Sequence, residues 1–136
     1  MRVLNIAPPA QWRAFDDELS FELRRLPMRD LVEMIEGTRF QAAIETPLTE
    51  AESKVGARKS EVVIPLAELL DLGETVIERM VTNWTVQDPS GAAIPVTREA
   101  ARWLISDVRG LAGWLVLDVL LSALAVEGAL EKEKKH

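Results

Sequence analysis

The spacing of hydrophobic positions changes several times along this chain, and each change marks an element. Leu19, Phe21 and Leu23 alternate with polar neighbours, which predicts a half-buried strand over about 19–25. Upstream, residues 1–17 predict a loosely structured arm, because Pro8-Pro9 breaks any helix. Trp12 and Phe15 would anchor that arm to the core or to a partner, with the core preferred. In "PMRDLVEMIEG", Met28, Leu31, Val32 and Ile35 fall at helical spacing behind Pro27, and Gly37 is placed to end the helix. An apolar patch from Phe40 to Ile44 follows. The stretch 46–60 is then polar without a sustained period and reads as a flexible loop, in which Thr49 and Glu52 match a capping box. Val62, Val63 and Ile64 predict a short strand within 61–65, which Pro65 confines to a sheet edge or ends.

"LAELLDLGETVIERMVTNW" is mostly helical by period. Val76, Ile77, Met80 and Val81 share one face, and Gly73 is expected to break or bend the helix. The next stretch, "WTVQDPSGAAIPVT", begins with strand character at Trp84. Asp88-Pro89-Ser90-Gly91 has Pro second and Gly fourth, a type I turn pattern. The chain then returns through Ile94, so the segment is either a small hairpin or an ordered loop with Trp84 and Ile94 packing over it. Pro95 stops it from running on into a helix. Thr97 is a candidate N-cap for "REAARWLISDVRG", with Glu99 in the favourable first turn.

The closing helix, "LAGWLVLDVLLSALAVEGALEKEKK", is the most apolar part. Leu111 to Leu130 has about the length of a membrane span. Asp118 and Glu127 oppose that reading, since each costs a few kcal/mol in a bilayer. On an ideal helix Asp118, Ser122, Ala125 and Ala129 form a narrow polar or small stripe. Trp114, Leu117, Leu121 and Leu124 form one apolar side, and Leu115, Val119 and Val126 another. A soluble helix of this kind is either central to its own core or shared with a partner, and a chain this small has difficulty covering it alone. The four residues Trp114, Leu117, Leu121 and Leu124 are therefore the expected partner-binding face. The whole pattern predicts a mainly α (α+β) fold: one helical domain over 18–131 with a few short strands or one small hairpin, and a charged tail at 132–136.

Composition narrows the chemistry. With 136 residues, 48% of them hydrophobic, the chain can build a sizeable core. A net charge of −6 argues against general nucleic-acid binding, which needs clustered Lys and Arg. No cysteine is present, so disulfides and thiolate metal sites are excluded. The N-terminus lacks the apolar run of a signal peptide, which predicts an intracellular protein. The one histidine is His136. A terminal histidine makes a poor member of a Ser-His-Asp, Cys-His or histidine–metal arrangement. There is no tyrosine, and no Gly-rich phosphate loop. The run Asp16, Asp17, Glu18 and the charges at the C-terminus read as solvated surface or chain ends. These features predict a non-enzymatic protein with no cofactor, no metal and no membrane span.

The order of features resembles phage tail assembly chaperones. A strand-like "FELRRL" precedes a short helix, then "VVIPLAELLDL", then "NWTVQDPSGAAIPVTREAARWL" and a hydrophobic closing helix. The residues that carry the likeness are Trp84, Asp88, Gly91, Ile94, Pro95 and Thr97, within roughly residues 18–125. They make a non-catalytic structural motif. The resemblance implies a helper of long-tailed phage assembly in the host bacterial cytoplasm. It would bind the tape measure protein, keep it soluble and help recruit tail tube protein; a homo-oligomer is the other expectation, from the excess of apolar side chains on the closing helix. Members of the family are usually absent from the finished virion and commonly have a frameshifted longer form. Two further readings remain open: a neck or tail-completion protein retained in the virion, and a small interaction module unconnected with phage.

Overall fold

The computed structural model describes residues 10–42 and 64–134. Within them the fold is mainly helical, with one small three-stranded antiparallel sheet that does not close into a barrel. Residues 1–9 of the expected arm, the polar loop expected at 46–60, the capping box at Thr49 and, of the strand expected within 61–65, Val62 and Val63 lie outside the described residues. Ile64 and Pro65 are described and are not in a strand, because the chain there leads straight into a helix at Leu66.

Strands β1 (Gln11–Ala14), β2 (Ser20–Leu23) and β3 (Val81–Trp84) lie in that order across the sheet. The β1–β2 hairpin is closed by Asp16, whose carboxylate accepts the Glu18 and Leu19 N–H groups at 2.9 and 2.8 Å. An Asp side chain that bonds its own backbone in this way stabilises a turn. The loosely structured arm expected through residue 17 therefore gives way to a strand at Gln11, because it pairs with β2 across the turn, from Gln11 opposite Leu23 to Ala14 opposite Ser20. Side chains alternate across a strand. Arg13, opposite Phe21, faces the helices, while Trp12, opposite Glu22, points outward and is half exposed. Phe15 is the member of that pair that anchors to the core.

Helix α1 (Met28–Ile35) starts behind Pro27 and ends two residues before Gly37, as its spacing predicts. A helical turn over residues 39–42 follows, and the carboxylate of Glu68 accepts the Arg39 and Phe40 N–H groups, each at 3.0 Å. These are donors that a helix start leaves unpaired. Helix α2 (Leu66–Met80) runs unbroken through Gly73, contrary to the expected break. The reason lies in packing. A Cβ at Gly73 would stand 3.1 Å from Ile105 Cδ1 and 3.4 Å from the backbone of Ala112. Glycine is present because two other helices approach closely, not because the helix bends. Helix α2 also stops earlier than its period implies. The backbone turns extended at Val81 and passes directly into β3, where Phe21 pairs with Trp84.

Gly73 gives a graded prediction. Gly73→Ala should stay within about 1 kcal/mol of wild type, because the gain in helix propensity offsets a small shift of the flexible Ile105 tip. Gly73→Leu should cost at least about 2 kcal/mol by overpacking the contact. Thermal or urea unfolding measures both, and a Leu variant as stable as wild type would disprove the close approach.

Helix α3 (Arg98–Asp107) is capped as expected: Thr97 accepts the Ala100 N–H at 3.0 Å. Arg98 reaches from its first turn to Asp71, Glu74 and Glu78 along α2, at 3.1, 3.2 and 3.1 Å. Glu74 is buried and also takes Arg102 at 3.3 Å. A buried carboxylate is tolerated only when paired and hydrogen-bonded, and these two arginines supply that. The chain then turns sharply. Gly110, at φ +82, occupies a left-handed conformation that costs other residues strain. Beyond it the closing helix runs back at 116° to α3.

That closing helix has three parts: α4 (Leu111–Trp114), a π-helical segment (Leu115–Leu120) and α5 (Leu121–Lys134). It lies at the centre of the fold. Leu111, Leu115, Val116 and Leu120 are fully buried with Phe21, Leu31, Phe40, Val76 and Ile77 from the sheet, α1, the 39–42 turn and α2. Burying each such side chain contributes about 1.5–3 kcal/mol, so this cluster holds the elements together.

Candidate functional site

The segment from Trp84 to Thr97 forms a hairpin beside β3. Ile94 N–H donates to the Val86 carbonyl at 3.0 Å, and Gln87 bridges Ala93. At its tip the Gly91 N–H donates to the Asp88 carbonyl at 2.9 Å, closing the turn, and Gly91 sits at φ +90. The Asp88 carboxylate accepts the Ser90 N–H at 2.8 Å, the Ser90 hydroxyl and the Ala92 N–H at 3.0 Å. Above all the Ser90 hydroxyl, then the Ala92 N–H, hold the Asp88 carboxyl below its ordinary titration range by stabilising the charged form. Its support of the turn is thus present at neutral pH and is lost as pH falls through that lowered value.

Trp84 closes the base of the hairpin. It is 5% exposed, stands edge-on to Phe21 at 6.3 Å between centroids, and donates its indole N–H to the Ile94 carbonyl at 2.6 Å. Pro95 then separates Ile94 from the cap at Thr97. All six residues, Trp84, Asp88, Gly91, Ile94, Pro95 and Thr97, thus belong to one local structure. It joins the sheet to α3 and sets where α3 begins.

The four apolar residues expected to share a face of the closing helix do not share one. Leu117 and Leu121 are exposed, at 49% and 38%, whereas Leu124 is 8% exposed and belongs to the core. Trp114 is half-buried beneath the sheet, 5.4 Å from the Phe15 ring and 5.8 Å from Phe21, with the Arg13 guanidinium 5.6 Å over its ring. The second expected side also divides: Leu115 and Val119 are buried, and Val126 is 58% exposed.

The π segment is the cause. Its i→i+5 bonding gives less rotation per residue than the roughly 100° of an α-helix. Burial accordingly recurs every fourth residue from Leu111 to Leu124, and after three residues, at Glu127, where the helix is α again. Leu111 with Ala112, Leu115 with Val116 and Val119 with Leu120 face inward, followed by Leu124 and Glu127. A template of 3.6 residues per turn drifts against this repeat and misplaces Leu124. The outward surface holds Leu117, Leu121 and Val126, with Asp118, Ser122 and Ala125 between them.

The two acidic residues of the closing helix have separate partners. Asp118 meets Arg13 of β1 at 3.2 Å on the surface. Glu127 is buried and takes a two-point contact from Arg25, at 2.6 and 3.0 Å. Such forked pairs are the strong form of the carboxylate–arginine bond. Sequence reading treated Glu127 only as an obstacle to membrane insertion, because its partner lies 102 residues away. Among the described residues no single helix is long and apolar enough to cross a membrane. Helix α3 and the closing helix pass only as a pair, across their sharp bend.

Sequence periodicity also missed Trp103 on α3 and Leu66 on α2, both well exposed. Each sits next to residues with helical apolar spacing, so the pattern alone does not tell which side it takes. Among the described residues no group of three or more His, Cys, Asp or Glu is placed to hold a metal ion.

The class defined by these observations is a mainly helical domain built around a buried closing helix and edged by a three-stranded antiparallel sheet. No family model, curated protein or solved structure matches the chain.

Proposed function

We propose that this protein is a non-enzymatic phage tail assembly chaperone, acting in the host bacterial cytoplasm. In this reading it binds the tape measure protein, keeps it soluble and helps bring in tail tube subunits. The observation that carries the reading is the outward apolar stripe of Leu117 and Leu121, one turn apart on a helix whose inner face forms the core. A rigid helix with such a stripe is suited to cover apolar helical faces of a partner. The net charge of −6 favours solubility of the resulting complex. The Trp84–Thr97 motif supports the same reading through its likeness to the family, as scaffold and not as contact.

Co-expression tests it. The double variant Leu117→Gln, Leu121→Gln should keep its melting temperature, because both side chains are outward. It should also lower the soluble fraction of a co-expressed tape measure protein several-fold. Full solubilisation by a folded double variant would remove this stripe as the binding surface. A wild-type protein that leaves the tape measure insoluble would end the chaperone reading. The gene should lie between those for the tail tube and a very long tape measure protein.

A further inference from the structure

On the other flank of the closing helix lies an open groove of about 440 Å³, between the inner ends of β1 and β2 and the helix. Its floor is core: Leu23, Leu26 and Met80 line it and are buried residues of the hydrophobic cluster. Its helical wall dips at Ala123 between Val119 and Val126, and Val126 stands clear of the protein's own packing.

The charge at this place is opposite to that of the chain. The lining residues include three arginines, Arg13, Arg24 and Arg25, and a single acid, Glu127. Two of the arginines already hold carboxylates: Arg25 holds Glu127, and Arg13 holds Asp118. Arg24 differs. Its Nε donates to the Arg79 carbonyl at 2.8 Å, which fixes the guanidinium at the lip. Among the described residues, no carboxylate meets its two terminal amino groups. Arginine presents those donors as a planar fork that fits a carboxylate at two points.

We propose that this groove is a docking site for an amphipathic helix of a partner protein whose apolar face is edged by acidic side chains. A whole helix is about 10–12 Å across, so a groove of this volume takes its large apolar side chains and leaves the helix lying along the wall. Ridges of that helix would enter the dip at Ala123, and an acidic residue one turn along would meet Arg24. An apolar floor with Arg24 at the lip selects this occupant over a basic helix, which would leave that guanidinium without a carboxylate and facing like charge. The proposal does not depend on the phage assignment, since it rests on local shape and charge alone.

The test uses two fluorescent helical peptides with one leucine face, edged by glutamate in the first and by lysine in the second. Anisotropy at low salt should show the glutamate peptide binding at least about tenfold tighter, the size of one charge-assisted pair. Arg24→Glu should reverse the preference. Ala123→Trp, which fills the dip, should abolish binding of both peptides. Light scattering should show the wild type as a monomer, and each variant must keep its melting temperature. Val126→Asp is the substitute if Ala123→Trp unfolds. Equal binding of the two peptides, no binding, or binding unchanged by Arg24→Glu overturns the proposal. So does a dimer that Arg24→Glu dissociates, which would assign the groove to a second copy of the chain. The peptides contain no phage component, so these outcomes are separate from the failure of tape measure solubilisation.

Discussion

Replacing Trp84 with alanine is expected to lower the unfolding free energy by about 3–5 kcal/mol, the range for removing a large aromatic from a closed core site. Three effects act together. The indole leaves a void against Phe21, since the side chain is almost fully buried. The Ile94 carbonyl loses the indole N–H that it accepts, and an unpaired buried acceptor costs about 1–3 kcal/mol where water cannot replace the donor. The hairpin base also loses the contact that ties it to the sheet. Trp84→Phe should cost clearly less, because it keeps most of the packing and loses only the hydrogen bond. Urea unfolding of both variants measures the difference. A Trp84→Ala cost below about 1 kcal/mol, with partner binding lost, would make Trp84 a contact residue instead of scaffold.

The second large effect separates residues that look alike in sequence. Leu124→Ala should cost about 2–5 kcal/mol, as for a buried leucine, whereas Leu121→Ala should cost less than about 1 kcal/mol. The two lie three positions apart on one helix, and an ideal helix would give them similar surroundings. Here Leu124 is in the core and Leu121 faces out, because the preceding π segment resets the phase. Paired melting curves decide the matter. If Leu121→Ala proved the costlier change, burial on this helix would follow 3.6 residues per turn after all, and the four-residue face from Trp114 to Leu124 would return. The same pair of variants also guards the co-expression test, since a loss of activity from Leu124 reports unfolding and not a lost contact.

Local chemistry made much of the fold legible. The alternation at Leu19, Phe21 and Leu23, the Pro27 start of α1, the Asp88–Gly91 turn and the Thr97 cap each follow from interactions within a few residues. Each of these was present in the structure at its expected place. For the candidate surface, sequence named four residues of the closing helix, of which two, Leu117 and Leu121, are exposed. It included Trp114, which the sheet covers, and Leu124, which the core covers. No sequence pattern singles out Arg24 and Arg25, because neither the groove nor Glu127 is near them in sequence.

What the sequence determined by itself was therefore everything set by short-range physics: element types, caps, turns, and the presence of more apolar side chain than one helix face requires. Tertiary structure decided the rest. It drew Gln11–Ala14 into the sheet, since a strand needs a partner that no local pattern supplies. It made Gly73 a point of close helix approach and paired Glu127 with Arg25 across 102 residues. It also chose which leucines of the closing helix are buried. The difference has one physical origin. Backbone preferences and capping bonds act over a few residues, whereas burial, pairing and helix phase depend on which surfaces meet, and those surfaces come from distant parts of the chain.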